Sequence, residues 1–254
     1  MKVARDTWII FQRQVLLMFR TPIGVVFSFS SPVFFLLLFV PVLKLALKSQ
    51  GVTSYTGAYQ VYVPGLLMAM ATASGLWGGF GLLAEIRSGV IERGWVTPVS
   101  RVAMMLGRAS RDVADVLVRA AIITLFAVPL GLRVTVPGVL LGLVLLGLLS
   151  LGATGLGYAV IMWVRDEGTF TSVLNTITSP LSLTAGNLLP LTLAPLWLLW
   201  VARFNPFYWL TSGLRSLYAG DFAAHAVWVG LIIGAALSAL SVTWSVRMFT
   251  RVVQ

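Results

Sequence analysis

Cysteine is absent from the 254-residue chain, which removes disulfides, thiolate metal sites and cysteine nucleophiles together. Histidine occurs once, at His225, so no histidine pair exists for a metal centre or a proton relay. Lysine occurs only as Lys2, Lys44 and Lys48, none of them after a glycine, and a phosphate-binding loop of the Gly-x-x-x-x-Gly-Lys type is excluded. Charge is scarce as well. Only 10% of residues are charged against 58% hydrophobic, too little polar surface to cover a water-soluble domain of this size. An all-α integral membrane protein follows. The net charge of +10 does not indicate a nucleic acid partner, because the basic residues are scattered between apolar runs, as positive-inside topology requires.

What is present is a series of apolar runs separated by short polar breaks. Residues 1–20 read as an amphipathic helix: Arg5, Asp6, Gln12, Arg13 and Arg20 fall on one side, and Trp8, Ile9, Phe11, Val15, Leu16 and Phe19 fill the other. Such a segment lies in the plane of the membrane interface. No small-residue cleavage site follows its apolar run, so it is expected to remain as an uncleaved elbow helix. Spans are then predicted over 21–43, 60–84, from about Met104 to the turn at 132–136, 137–163, 170–189 and 226–246, six in all, each near the length a bilayer core requires. The second carries Ala71, Gly75 and Gly79 at four-residue spacing, which allows another helix to approach closely. The third opens with Arg108, Arg111, Asp112, Asp115 and Arg119, spaced to pair four residues apart along one face. That face either reaches the membrane beside protein or water, or projects from it first.

The fifth span is polar for a lipid environment, with Asn175, Ser179 and Ser182 at helical spacing among further Ser and Thr residues. These side chains either border a transport path or act as ordinary interhelical contacts. Residues 188–222 contain Pro190, Pro195 and Asn205-Pro206, which divide an aromatic-rich stretch into pieces too short to cross a bilayer. A re-entrant hairpin on the outer side between helices 5 and 6 is expected, with Trp197, Trp200, Asn205 and Trp209 forming an extracellular gate. Six spans put both termini on one side. That side collects 13 basic residues and the other 5, which places the termini, and residues 85–119, in the cytoplasm of a multi-pass inner-membrane protein. No internal repeat is evident, and no carboxylate falls mid-span, which argues against an ion-coupled carrier.

Residues 85–119 hold 10 of the 26 charged residues, between two apolar runs. Around Ile86, Val90, Ile91 and Trp95, the charges of Glu85, Arg87, Glu92 and Arg93 form a rim about an apolar knob. This is either a solvated loop or a protrusion shaped to receive force from a soluble motor.

The glutamate closing the second span, the turn Gly89-Val90-Ile91-Glu92-Arg93, the run Thr97-Pro98-Val99-Ser100-Arg101 and the pair Gly107-Arg108 resemble the drug-export, daunorubicin-resistance-like branch of the ABC type-2 exporter permeases. The order of elbow helix, six spans and hairpin with Asn205-Pro206 and Arg215 is similar to that family over essentially the whole chain. The sequence departs from it at Trp95, where relatives commonly carry a smaller or aliphatic residue. The resemblance implies a single transmembrane domain over 1–254 whose loop 85–101 is a cytoplasmic coupling helix. Glu85, Arg87, Ile91, Glu92, Arg93 and Trp95 would then contact an ABC ATPase subunit. It further implies a homodimer in membrane lipid that exports a hydrophobic or amphipathic substrate, or alternatively a lipid-linked glycan. The chain itself would be no enzyme and would bind no cofactor, with ATP and magnesium held by the partner ATPase.

Overall fold

The structure, a computed structural model, describes residues 2–19, 22–46, 48, 54–88, 101–187, 191 and 194–252. Helices α1 (Lys2–Phe19), α2 (Pro22–Ala46), α3 (Tyr55–Arg87), α4 (Arg101–Ala127) and α5 (Val136–Val164) come first. They are followed by α6 (Glu167–Ala185), α7 (Leu196–Phe204), α8 (Pro206–Ala219) and α9 (His225–Val252). No strand occurs among the described residues. Among them, α3, α5 and the His225–Phe249 part of α9 are long and apolar enough to cross a membrane, and Ser30–Ala46 of α2 is a shorter apolar helix.

The helix ends are set by local chemistry. Ser54 accepts a hydrogen bond from the Gly57 N–H at 3.1 Å, so α3 starts at Tyr55, five residues before the expected span at 60. Asp166 caps α6 in the same way, accepting from Thr169 N at 2.7 Å and Thr169 Oγ1 at 2.8 Å. These bonds hold the Asp166 carboxyl below its ordinary range, the backbone N–H contributing most. Gly186, at φ 70°, ends α6 in a left-handed cap. The helix therefore covers Glu167–Ala185 and not the expected 170–189.

Helix α5 is the hub of the bundle, and small residues decide how its neighbours meet it. A Cβ on Gly75 of α3 would stand 2.6 Å from Ala153 Cβ, and one on Gly79 would stand 2.8 Å from the Gly157 carbonyl oxygen. The 71/75/79 spacing is thus spent on contact within the chain, backbone against backbone. On another face of α5, a Cβ on Gly155 would lie 2.9 Å from Ser241 of α9, and Ser238 Oγ donates to the Leu148 carbonyl at 2.5 Å. Two apolar clusters result. One contains Leu36, Tyr62, Leu67, Leu145, Leu149, Leu214 and Tyr218, and the other contains Leu76, Met105, Tyr158, Ile161, Phe170 and Phe249.

Candidate functional site

At the end of the bundle where α3 finishes and α4 begins, charged side chains meet in the interior. Arg108 pairs with Glu85, and its Nε donates to the Tyr158 hydroxyl at 3.1 Å. The Tyr158 hydroxyl in turn donates to Asp112 Oδ2 at 2.6 Å. Arg111 Nη1 reaches Asp112 Oδ1 at 2.8 Å, and one turn on, Arg119 Nε donates to Asp115 Oδ1 at 3.1 Å. Arg108, Asp112 and Asp115 are all buried. The pairs balance in charge, one guanidinium to each carboxylate, as burial in a low-dielectric interior requires.

Of the three four-residue pairs expected along α4, only Asp115/Arg119 forms as predicted. Arg108 leaves Asp112 for Glu85 of α3, and Arg111 takes Asp112, its sequence neighbour, in place of Asp115. Glycine explains the difference. A Cβ on Gly81 would come 2.6 Å from Arg108 Nη2 and one on Gly78 3.1 Å from Asp112 Oδ2, so α3 leaves room for these side chains to cross to it. Tyr158 was missed by sequence reasoning. Its signal is a lone phenol within the glycine-rich, otherwise apolar run of α5.

Gly107 and Arg108 have opposite partners. A Cβ on Gly107 would lie 2.8 Å from Ile10 Cβ and 2.9 Å from the Thr7 carbonyl oxygen, so the elbow helix crosses α4 here, while the next residue reaches α3. Helix α4 is thereby clamped between α1 and α3. Of the expected coupling residues, Glu85 and Arg87 are described, whereas Ile91, Glu92, Arg93 and Trp95 lie outside the described residues. Arg87 Nη1 reaches Glu167 Oε1 at 2.6 Å, both side chains about half exposed. The last turn of α3 is thus tied to α4 through Glu85 and to α6 through Arg87.

Along α6, Phe170, Leu174 and Ala185 are buried, and Asn175 and Ser179 are exposed, with Ser182 partly so. The hydroxyls turn back on their own helix: Ser179 Oγ donates to the Asn175 carbonyl at 2.9 Å and Thr176 Oγ1 to that of Ser172 at 2.8 Å. The structure therefore brings Asn175 and Ser179 to one outward surface.

The expected gate residues separate. Trp197 and Trp200 are 67% and 63% exposed, while Asn205 is buried. The Asn205 amide donates to the Leu181 carbonyl at 2.9 Å and to Thr184 Oγ1 at 2.7 Å, and its Oδ1 accepts from Phe207 N at 2.9 Å. It is a pin joining the α7/α8 corner to α6 and capping α8, not part of the aromatic surface. Trp209 donates its indole N–H to the Arg203 carbonyl at 3.0 Å and sets its ring edge-on to His225. Helices α7 and α8, of 9 and 14 residues, are each too short for a bilayer core of about 30 Å. Arg215 fixes the hairpin from its other side, donating to the carbonyls of Val61 at 3.2 Å and Gly186 at 2.6 Å. Its charge meets the negative end of the α6 dipole instead of a carboxylate.

Comparison with protein-family models matches residues 5–219 to a family described as ABC-2 type transporter. Comparison with curated proteins gives no match. The matched segment contains α1 from Arg5, the clamped α4, the α5 hub and all of α7 and α8. With well over half of the sequence covered, the chain belongs to the ABC-2 type transporter family, as the membrane permease component of an ABC transporter, which implies an ABC ATPase partner.

Proposed function

We propose that the chain is half of an exporter in which two copies enclose a path. Two ATPase subunits, holding ATP and magnesium, drive a hydrophobic or amphipathic substrate, drug-like or lipid-like, out of the cytoplasm or the inner leaflet. In this reading α2, α3, α4, α5, α6 and α9 are the six spans and the α7/α8 hairpin dips in from the outer side. Helices α4 and α6 owe their polarity to what they face, the buried charges and the path respectively. The 13-to-5 basic asymmetry supports a cytoplasmic position for α1 and for the segment after α3, in an inner-membrane protein.

The observation that carries the proposal is the double tie at the end of α3. Glu85 holds α4 and Arg87 holds α6, so displacement of the segment that follows moves both helices, one of which bears the exposed Asn175/Ser179 face. Glu85, Arg87, Ile91, Glu92, Arg93 and Trp95 contact the ATPase in this scheme, and Asn175, Ser179 and Ser182 border the path between two copies. Trp197, Trp200 and Trp209 form the outer gate, with Asn205 as its anchor. The exposed rings of Trp197, Trp200 and Phe204 also suit stacking on sugars, which favours a lipid-linked glycan as the second reading of the cargo.

The test is substitution of Asn175, Ser179 and Ser182 by tryptophan. The expected result is an altered order of preference among exported compounds, with unchanged yield and assembly. Loss of folding yield with an unchanged order would show that the face only packs.

A further inference from the structure

A groove of about 580 Å³ lies behind the elbow helix, walled by Trp8 and Phe11 of α1, Val113 and Leu117 of α4, and Val144 and Leu148 of α5. Its floor includes Ala114 and Gly147. It is graded along its length. Its polar residues, Thr7 and Ser110, stand at the end near the α1/α4 crossing. Leu117 and Val144 lie seven residues along their helices from Ser110 and Leu151, roughly 10 Å away at the helical rise. Beyond that far end the apolar surface continues outward through exposed Val118, Leu140 and Leu141. At the near end, Trp8 is 58% exposed and stacks on Phe11, the position of an aromatic at a membrane interface.

Basic residues outnumber acidic ones in the sequence of α1, which holds Lys2, Arg5 and Arg13 against the single acid Asp6. Arg5 is exposed and lies three residues before Trp8, which puts it on the groove side of α1, at the rim. An apolar slot open to the lipid-facing surface, closed at the interface by a tryptophan and bordered there by a cation, has the form of a single phospholipid.

We propose that this groove holds one acyl chain of an anionic phospholipid whose headgroup lies beside Arg5. The site is separate from the substrate path, and it requires only that the chain be embedded in a membrane, whatever cargo it moves. A lipid bound here fills the wedge between α1, α4 and α5 and so supports the clamp on α4.

The experiment uses the full-length protein in detergent, exchanged against phosphatidylglycerol or phosphatidylcholine carrying a photoreactive diazirine midway along one chain. After illumination, labelled peptides are mapped. Labelling is expected on the α4 and α5 segments containing Ala114 and Gly147, roughly five-fold stronger for phosphatidylglycerol, the preference one interfacial arginine confers. R5Q should abolish that preference. Gly147→Leu should abolish the labelling itself. A Cβ at Gly147 meets Leu117 and Val113 only at 3.7 to 3.9 Å, ordinary contact, so the larger side chain grows into the groove without displacing the helices. Ala114→Leu serves as a second filling variant, and thermal unfolding identifies any variant that fails to fold. Labelling that persists in a folded filling variant overturns the proposal. So does equal labelling by the two lipids, or a cysteine at Ala114 that crosslinks two copies of the chain across the groove.

Discussion

Removing Arg108 tests whether the charge cluster at the end of α3 holds the bundle together. The Arg108 side chain is 10% exposed and Glu85 27%, so Arg108→Ala breaks a largely covered ion pair and removes the donor to the Tyr158 hydroxyl. Breaking a buried pair by removing one partner costs about 3–5 kcal/mol, and the partial exposure of Glu85 places this case at the lower end. For a chain of this size, about 3 kcal/mol corresponds to a fall of roughly 6–12 °C in unfolding midpoint. The control is Arg87→Gln, whose pair with Glu167 is half exposed and worth about 0–1 kcal/mol. Unfolding in detergent gives the midpoints, and a Glu85→Ala/Arg108→Ala double-mutant cycle gives the pairwise contribution, expected at about 1–3 kcal/mol. Equal midpoints for Arg108→Ala and Arg87→Gln, with additive single mutants, would refute the reasoning.

Tyr158→Phe removes a hydroxyl that donates to Asp112 and accepts from Arg108. Bonds to charged groups are worth about 1.5–3 kcal/mol, so its midpoint should fall clearly below wild type, and a midpoint within error of wild type would make the hydroxyl incidental. At the hairpin corner, Asn205→Asp keeps the oxygen that caps α8 but loses the amide donors to Leu181 and Thr184. It should be at least as destabilising as Asn205→Ala, roughly 2–4 kcal/mol, as seen in the unfolding midpoint. A near-normal Asp variant would reduce Asn205 to a cap alone.

The features legible in the sequence were those with a local cause. The amphipathic α1, the turn before Pro137, the apolar runs of α5 and α9 and the division of the hairpin at Asn205-Pro206 each follow from a few neighbouring residues. Helix ends shifted where capping outweighed hydropathy, as at Ser54, Asp166 and Gly186. The partners of Arg108, Arg111 and Asn205 were not legible, because each depends on residues brought close only by packing. Spacing four apart offered Asp112 to Arg108, but the absent side chain of Gly81 opened a shorter route to Glu85, a contact no single-helix pattern contains. Likewise Asn205 reads as a member of the aromatic gate until α6 is laid against it and takes its amide.

The placement of glycine on α3 and α4 also bears on how force would travel. Where α3 meets α5, Gly75 and Gly79 bring backbones together, leaving little freedom to slide without a clash. On the face turned to α4, Gly78 and Gly81 meet charged side chains instead. Long guanidinium and carboxylate groups keep their bonds over a wider range of helix positions than close-packed backbone does. In the proposed coupling scheme, the last turn of α3, beyond Gly79, would then tilt against α4 while Gly75 and Gly79 hold the middle on α5. With Gly107 seating α4 against α1, such a tilt would be constrained on two sides and would pass along α4, and through Arg87 and Glu167 to α6.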